Sequence, residues 1–126
     1  MIRTHLKINK DLCGEPIELK EGYALVKLKA IEPMLADEKG LVHGGFIFGL
    51  ADYAAMLSVN HPNVVLAKAD VKFLKPVKLG DTMLSSGKIQ KQENNKIYVE
   101  VSVEVEDKKV FEGTFVCVIT PKHVLE

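Results

Sequence analysis

Cysteine is scarce in this chain of 126 residues: Cys13 and Cys117 are the only two. They form no CxxC pair and no metal-ligand spacing surrounds them, so no metal centre is indicated. Cys117 lies within the apolar run FVCVIT and reads as a small buried hydrophobe. Excess charge of either sign is also missing, since Lys+Arg and Asp+Glu each total 17. Such a balance gives no support to nucleic acid or a membrane surface as a partner. No apolar run approaches the ~18 residues that cross a bilayer. The opening MIRTHLKINK has no hydrophobic core of a signal peptide, so a cytoplasmic location is expected. Repeats, low-complexity tracts and linkers are absent too, which predicts a single domain over residues 1–126. With 47% hydrophobic residues it can bury a real core. A lone domain of this size is only moderately well buried, so oligomerisation would help it.

What is present is alternation. Tyr23 to Ala30 places Val26, Leu28 and Ala30 on one face and Lys27 and Lys29 on the other, as a half-buried strand does. Four further strands are predicted over Val64–Leu74, Thr82–Gln92, Lys96–Glu106 and Val110–Thr120, with Gly87 as a possible bulge. The short turns between them imply antiparallel neighbours. In Val64–Leu74 the expected faces are Ala67, Ala69, Val71 and Phe73 against Lys68, Asp70 and Lys72. Residues 1–21 allow a short helix or an edge strand near Leu6 to Leu12. Between the first strand and the rest, Phe46 to Val59 has no proline and is apolar around most of its circumference. That marks a buried helix. One sheet must therefore curl around one helix, an α+β arrangement. Each strand offers a single apolar face, which leaves part of the helix for a second subunit to cover.

One acid interrupts that helix. Asp52 has Phe48, Gly49, Ala55 and Met56 one turn away and no basic residue within a turn. It is either a structural acid capped by hydrogen bonds or a catalytic carboxylate. His43, Gly44 and Gly45 stand at the helix start. Backbone N–H groups there lack intrahelical partners and carry the positive end of the dipole. Without side chains they can approach a carbonyl oxygen that gains negative charge. The triplet could equally be a glycine turn with His43 packing at the helix start. Gly44 and Asp52 are eight residues apart, roughly 12 Å along a helix at ~1.5 Å per residue. One carbonyl group cannot meet both on the same chain. If both act on one substrate, the acid comes from another copy, with two antiparallel helices across a twofold axis.

The pattern Gly40-x-x-His43-Gly44-Gly45, with Ala51-Asp52 following, resembles the hotdog-fold acyl-CoA thioesterases, in the branch that contains phenylacetyl-CoA and related thioesterases. The run ADVKFLKPVKLGD, Ala69 to Asp81, is similar to that family's strand and turn after the helix. The resemblance spans roughly residues 14 to 120. It implies a curved antiparallel sheet wrapped around one long central helix, paired as a homodimer or a dimer of dimers. It also implies hydrolysis of an acyl-CoA to free acid and CoA, without a metal or redox cofactor. By position, Asp52 would attack the carbonyl or activate water, the Gly44 N–H would polarise the carbonyl, Gly45 would permit close approach, and His43 would shape the helix start. Two positions depart from the pattern. Both are positions the resemblance places at the substrate: Asp37 stands where many relatives have an Asn that could position a water, and Leu66 where many have a Ser or Thr hydroxyl near the nucleophile.

Lys68, Lys72, Lys75 and Lys78 could hold the phosphates of coenzyme A, or form an ordinary solvated face. Phe46, Phe48, Met56 and Phe73 could line an acyl tunnel or simply pack. Two other functions compete. One is an acyl-CoA sensor that does not consume its ligand. The other is a hotdog hydratase or dehydratase, which typically carries Asp-x-Asn-Pro-x-His; here DEKGLVH, Asp37 to His43, lacks the Asn-Pro and is one residue longer.

Overall fold

The computed structural model describes residues 1–126. A short helix α1 (Lys10–Cys13) precedes β1 (Glu15–Lys20) and β2 (Tyr23–Lys29). A 3-10 turn (Glu32–Met34) leads to the long helix α2 (Gly44–Val59), followed by β3 (Val64–Phe73), β4 (Thr82–Glu93), β5 (Lys96–Val105) and β6 (Lys108–Ile119). The six strands form one antiparallel sheet in the order β1-β2-β4-β5-β6-β3. Helix α2 touches every strand, which requires the sheet to curl around it. Leu50, Ala51 and Tyr53 to Ser58 are buried between the sheet's inner face and the N-terminal segment. Facing them are Val26 and Leu28 of β2, and Ile97, Val99, Val101 and Val103 of β5.

Period-two alternation holds on β2 and β5, and it fails in three places for identifiable reasons. β1 is a separate strand that no alternation in the sequence signals. It is an edge strand whose Ile17 is exposed and whose Leu19 packs on the core, so pairing with β2 more than an apolar face holds it. Pro16 is tolerated there because an edge needs no second ladder. In β3 the register shifts between Leu66 and Lys68. The extra residue turns Ala67 out to solvent, away from the face expected for it. On β4 the irregularity falls between Ile89 and Lys91, not at Gly87, which stays in register opposite Ala24 and Val101. Gly87 instead makes room for the helix, since a Cβ there would lie 2.8 Å from the Ala54 carbonyl oxygen. Glycine lets α2 sit directly on the sheet.

The helix begins at Gly44, two residues before the expected start, and ends on Asn60 in the left-handed conformation. Asn60 also ties down the chain's start: its Oδ1 accepts from the Arg3 N–H at 2.7 Å and its Nδ2 donates to the Met1 carbonyl at 2.9 Å. The N-terminal segment then passes Tyr53, whose ring lies 6.4 Å from that of His5. Its α1 packs on α2 as well. Part of the helix face that the sheet leaves open is thus covered by the chain itself. On one face of the first two turns Gly45 is exposed and Phe48, Gly49 and Asp52 are only partly covered. A Cβ added at Gly49 would meet nothing within 4 Å.

Candidate active site

The start of α2 is held by two loop segments. The His43 N–H donates to the Met34 carbonyl and the Val42 N–H to the Val77 carbonyl, both at 2.9 Å. Met34 and Val77 are fully buried, so this clamp is anchored in the core. Upstream, Asp37 turns back on its own loop, its Oδ1 accepting from the N–H of Lys39 at 2.9 Å and of Leu41 at 3.1 Å. That Asx-type turn delivers the chain to Gly40, whose φ of 91° suits glycine.

At the mouth of the helix, His43 is the N-cap, yet its side chain makes no capping bond and no acid occupies the first turn. The Gly44 and Gly45 N–H groups have no backbone or side-chain acceptor in the chain. The positive end of α2 is therefore open to an incoming oxygen. The His43 imidazole lies over Gly45, where a Cβ would stand 3.0 Å from the ring, and meets Phe46 edge-on at 6.1 Å. Beside Gly44 sits Phe73: a Cβ on that glycine would be 3.3 Å from Cε1 of the ring. His43, Gly44, Gly45, Phe46 and Phe73 are thus gathered at one point.

Asp52 stands two turns further along. Its carboxylate is largely enclosed, its Oδ1 is buried without any hydrogen-bond partner, and burial pushes its pKa up from 3.8 to about 6. A buried carboxylate oxygen left unpaired is costly and calls for a donor. Its negative charge reaches Cys13 of α1 and Cys117 of β6, adding to the effect of burial in raising both thiols. Cys117 is pushed up to about 12, which makes it an inert packing group. It pairs across the sheet with Leu66, which is half-buried against the core.

The four lysines lie on β3 and the segment after it, Lys72 next to Phe73 in the chain and Lys78 next to the Val77 that bonds Val42. Lys68 and Lys72 are exposed on β3, and Lys72 pairs opposite Glu112. Lys72 also shares a polar hollow of about 290 Å³ with Asp70, Glu100, Glu112 and Thr114. Lys75 and Lys78 follow the strand, exposed; Lys78 forms an isolated bridge with Leu41. No pattern in the sequence signals that Phe73 lies against Gly44, twenty-nine residues earlier. A cavity of about 680 Å³ lies at the other end of α2, between Ser58 to His61 and Leu19 to Gly22, away from Asp52. No group of three or more His, Cys, Asp or Glu side chains is placed to hold a metal ion, and no helix is long and apolar enough to cross a membrane.

Comparison with known proteins gives the site a context. A family model described as the thioesterase superfamily matches residues 39–112, which include the helix mouth and Asp52. A protein of Aquifex aeolicus named methylthioribose-1-phosphate isomerase is 58% identical over 114 residues, covering 90% of this chain but only 25% of its own length. A transcription factor FapR of Caldanaerobacter subterraneus subsp. tengcongensis is 28% identical over 94% of this chain and 60% of its own. This chain thus spans a quarter to three fifths of those relatives. Among solved structures, the uncharacterised protein PH1136 of Pyrococcus horikoshii superposes with a TM-score of 0.98 at 55% identity, over 100% of this chain and 97% of the other. The smu.793 protein of Streptococcus mutans, solved bound to acetyl CoA, superposes at 0.82 with 27% identity, over 95% and 99%.

Proposed function

This chain belongs to the thioesterase superfamily and has its hotdog fold, and from that membership we propose that it hydrolyses an acyl-CoA to a free acid and coenzyme A. The observation that carries this reading is a pair of unmet needs on one helix. The carboxylate of Asp52, a part-exposed residue, makes no hydrogen bond within the chain, its Oδ1 buried without a partner, and the Gly44 N–H lacks an acceptor. They stand roughly 12 Å apart, too far to serve one carbonyl group within a chain.

A second copy joins them. β3 is an edge strand, paired only with β6. Antiparallel pairing of two β3 edges about a twofold axis sets the end of each against the start of the other. The end is Phe73, in contact with its own Gly44. Near the start is Leu66, opposite the Cys117 whose thiol feels Asp52. Such pairing carries each Gly44 towards the partner's Asp52 and builds two equivalent sites. The half-covered helix face at Gly45, Gly49 and Asp52 then lies against the partner.

In that site the thioester carbonyl accepts from the Gly44 N–H, and the opposite Asp52 attacks the carbonyl or draws a proton from water. The helix end stabilises the oxyanion, a contact worth about 3 to 4 kcal/mol where one such donor has been removed. It also lowers the pKa of the partner's Asp52, keeping the carboxylate ionised near neutral pH. Support for the ligand comes from the neighbour solved with acetyl CoA. The isomerase name of the Aquifex relative describes a protein four times as long as the match and is not carried over.

Thiol release from a panel of short, branched, aromatic and long acyl-CoA esters is the test. Asp52→Asn should lower turnover by roughly 10²- to 10⁴-fold. Near-wild-type turnover would remove the catalytic role. A second reading, an acyl-CoA binder that leaves its ligand intact, draws on the relatives named transcription factors and on Leu66, an apolar residue where the resemblance expects a hydroxyl. Tight binding with intact thioester after long incubation would select it.

A further inference from the structure

We propose that Phe73 sets which acyl groups this site accepts, excluding those branched at the carbon next to the carbonyl. The inference rests on the thioesterase reading and names its selectivity. A Cβ on Gly44 would stand 3.3 Å from Cε1 and 3.7 Å from Cζ of Phe73, so the ring lies about a methyl group's width from the backbone that offers the oxyanion donor.

The ring is backed from inside. It meets Phe111 edge-on with centroids 5.0 Å apart, Phe111 lies 6.3 Å from Phe115, and Phe48 of α2 packs on Phe115 at 5.4 Å. Phe111 and Phe115 are fully buried, so Phe73 has no room to retreat into the core. These four rings form one wall, from the helix mouth to the residue one turn before Asp52. Phe73, at 54% exposure, is its one exposed member. An acyl group straight at the α carbon can run along the ring with its carbonyl on the Gly44 N–H. A second substituent on that carbon needs the volume that the ring fills, and fits only by turning Phe73 outward.

Butanoyl-CoA and 2-methylpropanoyl-CoA, equal in carbon count, separate the two cases. Their kcat/KM values are to be measured on wild type, Phe73→Leu and Phe73→Ala. Affinities are measured beside them for the matching ketone analogues, in which a CH2 replaces the thioester sulfur, and light scattering follows the assembly. The branched-to-straight ratio should rise at least about tenfold in Phe73→Ala, within the range that one or two methylenes command in a pocket, with Phe73→Leu between. An unchanged ratio in both variants overturns the proposal. So does loss of the dimer by both, which would assign Phe73 to the interface. If wild type hydrolyses neither of these esters nor any other of the panel, the thioesterase reading falls alone, and the ratio of analogue affinities decides the role of Phe73; no affinity for either analogue overturns the proposal for Phe73.

Discussion

Replacing Asp52 by Asn should stabilise this protein, and only where the acid is ionised. In the single chain, burial raises the carboxyl from 3.8 to about 6. The fold therefore favours the neutral acid. That preference is fully present below pH 3.8 and is lost as pH rises through about 6, beyond which the native state holds an ionised, desolvated carboxylate. The rise is worth about 3 kcal/mol at ~1.4 kcal/mol per pH unit, an upper figure because Asp52 retains some contact with solvent. A partner's helix end would offset part of it, by up to about 2 kcal/mol in a partly buried geometry. Asn keeps the shape and carries no charge. Urea denaturation of both proteins at pH 8 and at pH 4, followed by circular dichroism at matched chain concentration, isolates Asp52 because other titrations cancel in the difference. The variant should be more stable by about 1 to 3 kcal/mol at pH 8, and the gain should fall away by pH 4. An equal gain at both values, or none at pH 8, would refute the assignment of a desolvated acid.

Two further substitutions test the packing. Ser85 on β4 is fully buried and its Oγ has no hydrogen-bond partner. Ser85→Ala should raise stability by about 1 kcal/mol, since an unpaired buried hydroxyl costs that much or more; a loss in the same urea titration would show that the hydroxyl is bonded. Gly87→Ala places a methyl group 2.8 Å from the Ala54 carbonyl oxygen, a backbone atom that cannot swing aside. A loss of about 1 to 3 kcal/mol is expected, and a thermal midpoint equal to wild type would contradict the close seating of α2 on the sheet.

Much of the fold is legible in the residues, and the limits have physical causes. Period two in β2 and β5 shows because each faces a core on one side only. The helix shows because a long apolar run with Ala, Leu and Met fits no strand. β1 stays hidden because an edge strand is held by backbone bonds that leave little pattern in side chains. The bulge that turns Ala67 outward is invisible for the same reason: inserting one residue in a ladder changes no residue type. At the site, the distance between Gly44 and Asp52 follows from helix geometry alone. Their surroundings do not. The Phe73 ring reaches Gly44 through the curl of the sheet, and Asp37 accepts from the N–H groups of Lys39 and Leu41 through Oδ1, local bonds that residue type alone does not show.

Mixed dimers test most directly whether the working site spans two chains. Gly44→Pro removes the N–H at the first helical position, where the backbone admits proline and no hydrogen bond is lost; its ring also displaces the Phe73 side chain of the same, already disabled, site. Asp52→Asn removes the carboxylate. Each variant alone is expected to be nearly inactive in thiol release. Unfolded and refolded together in equal amounts, half of the dimers hold one chain of each kind, and each of these restores one intact site of two. Activity should return to about a quarter of wild type. A mixture as inactive as its parts, with mixed dimers verified by mass spectrometry, would contradict a site shared across the interface.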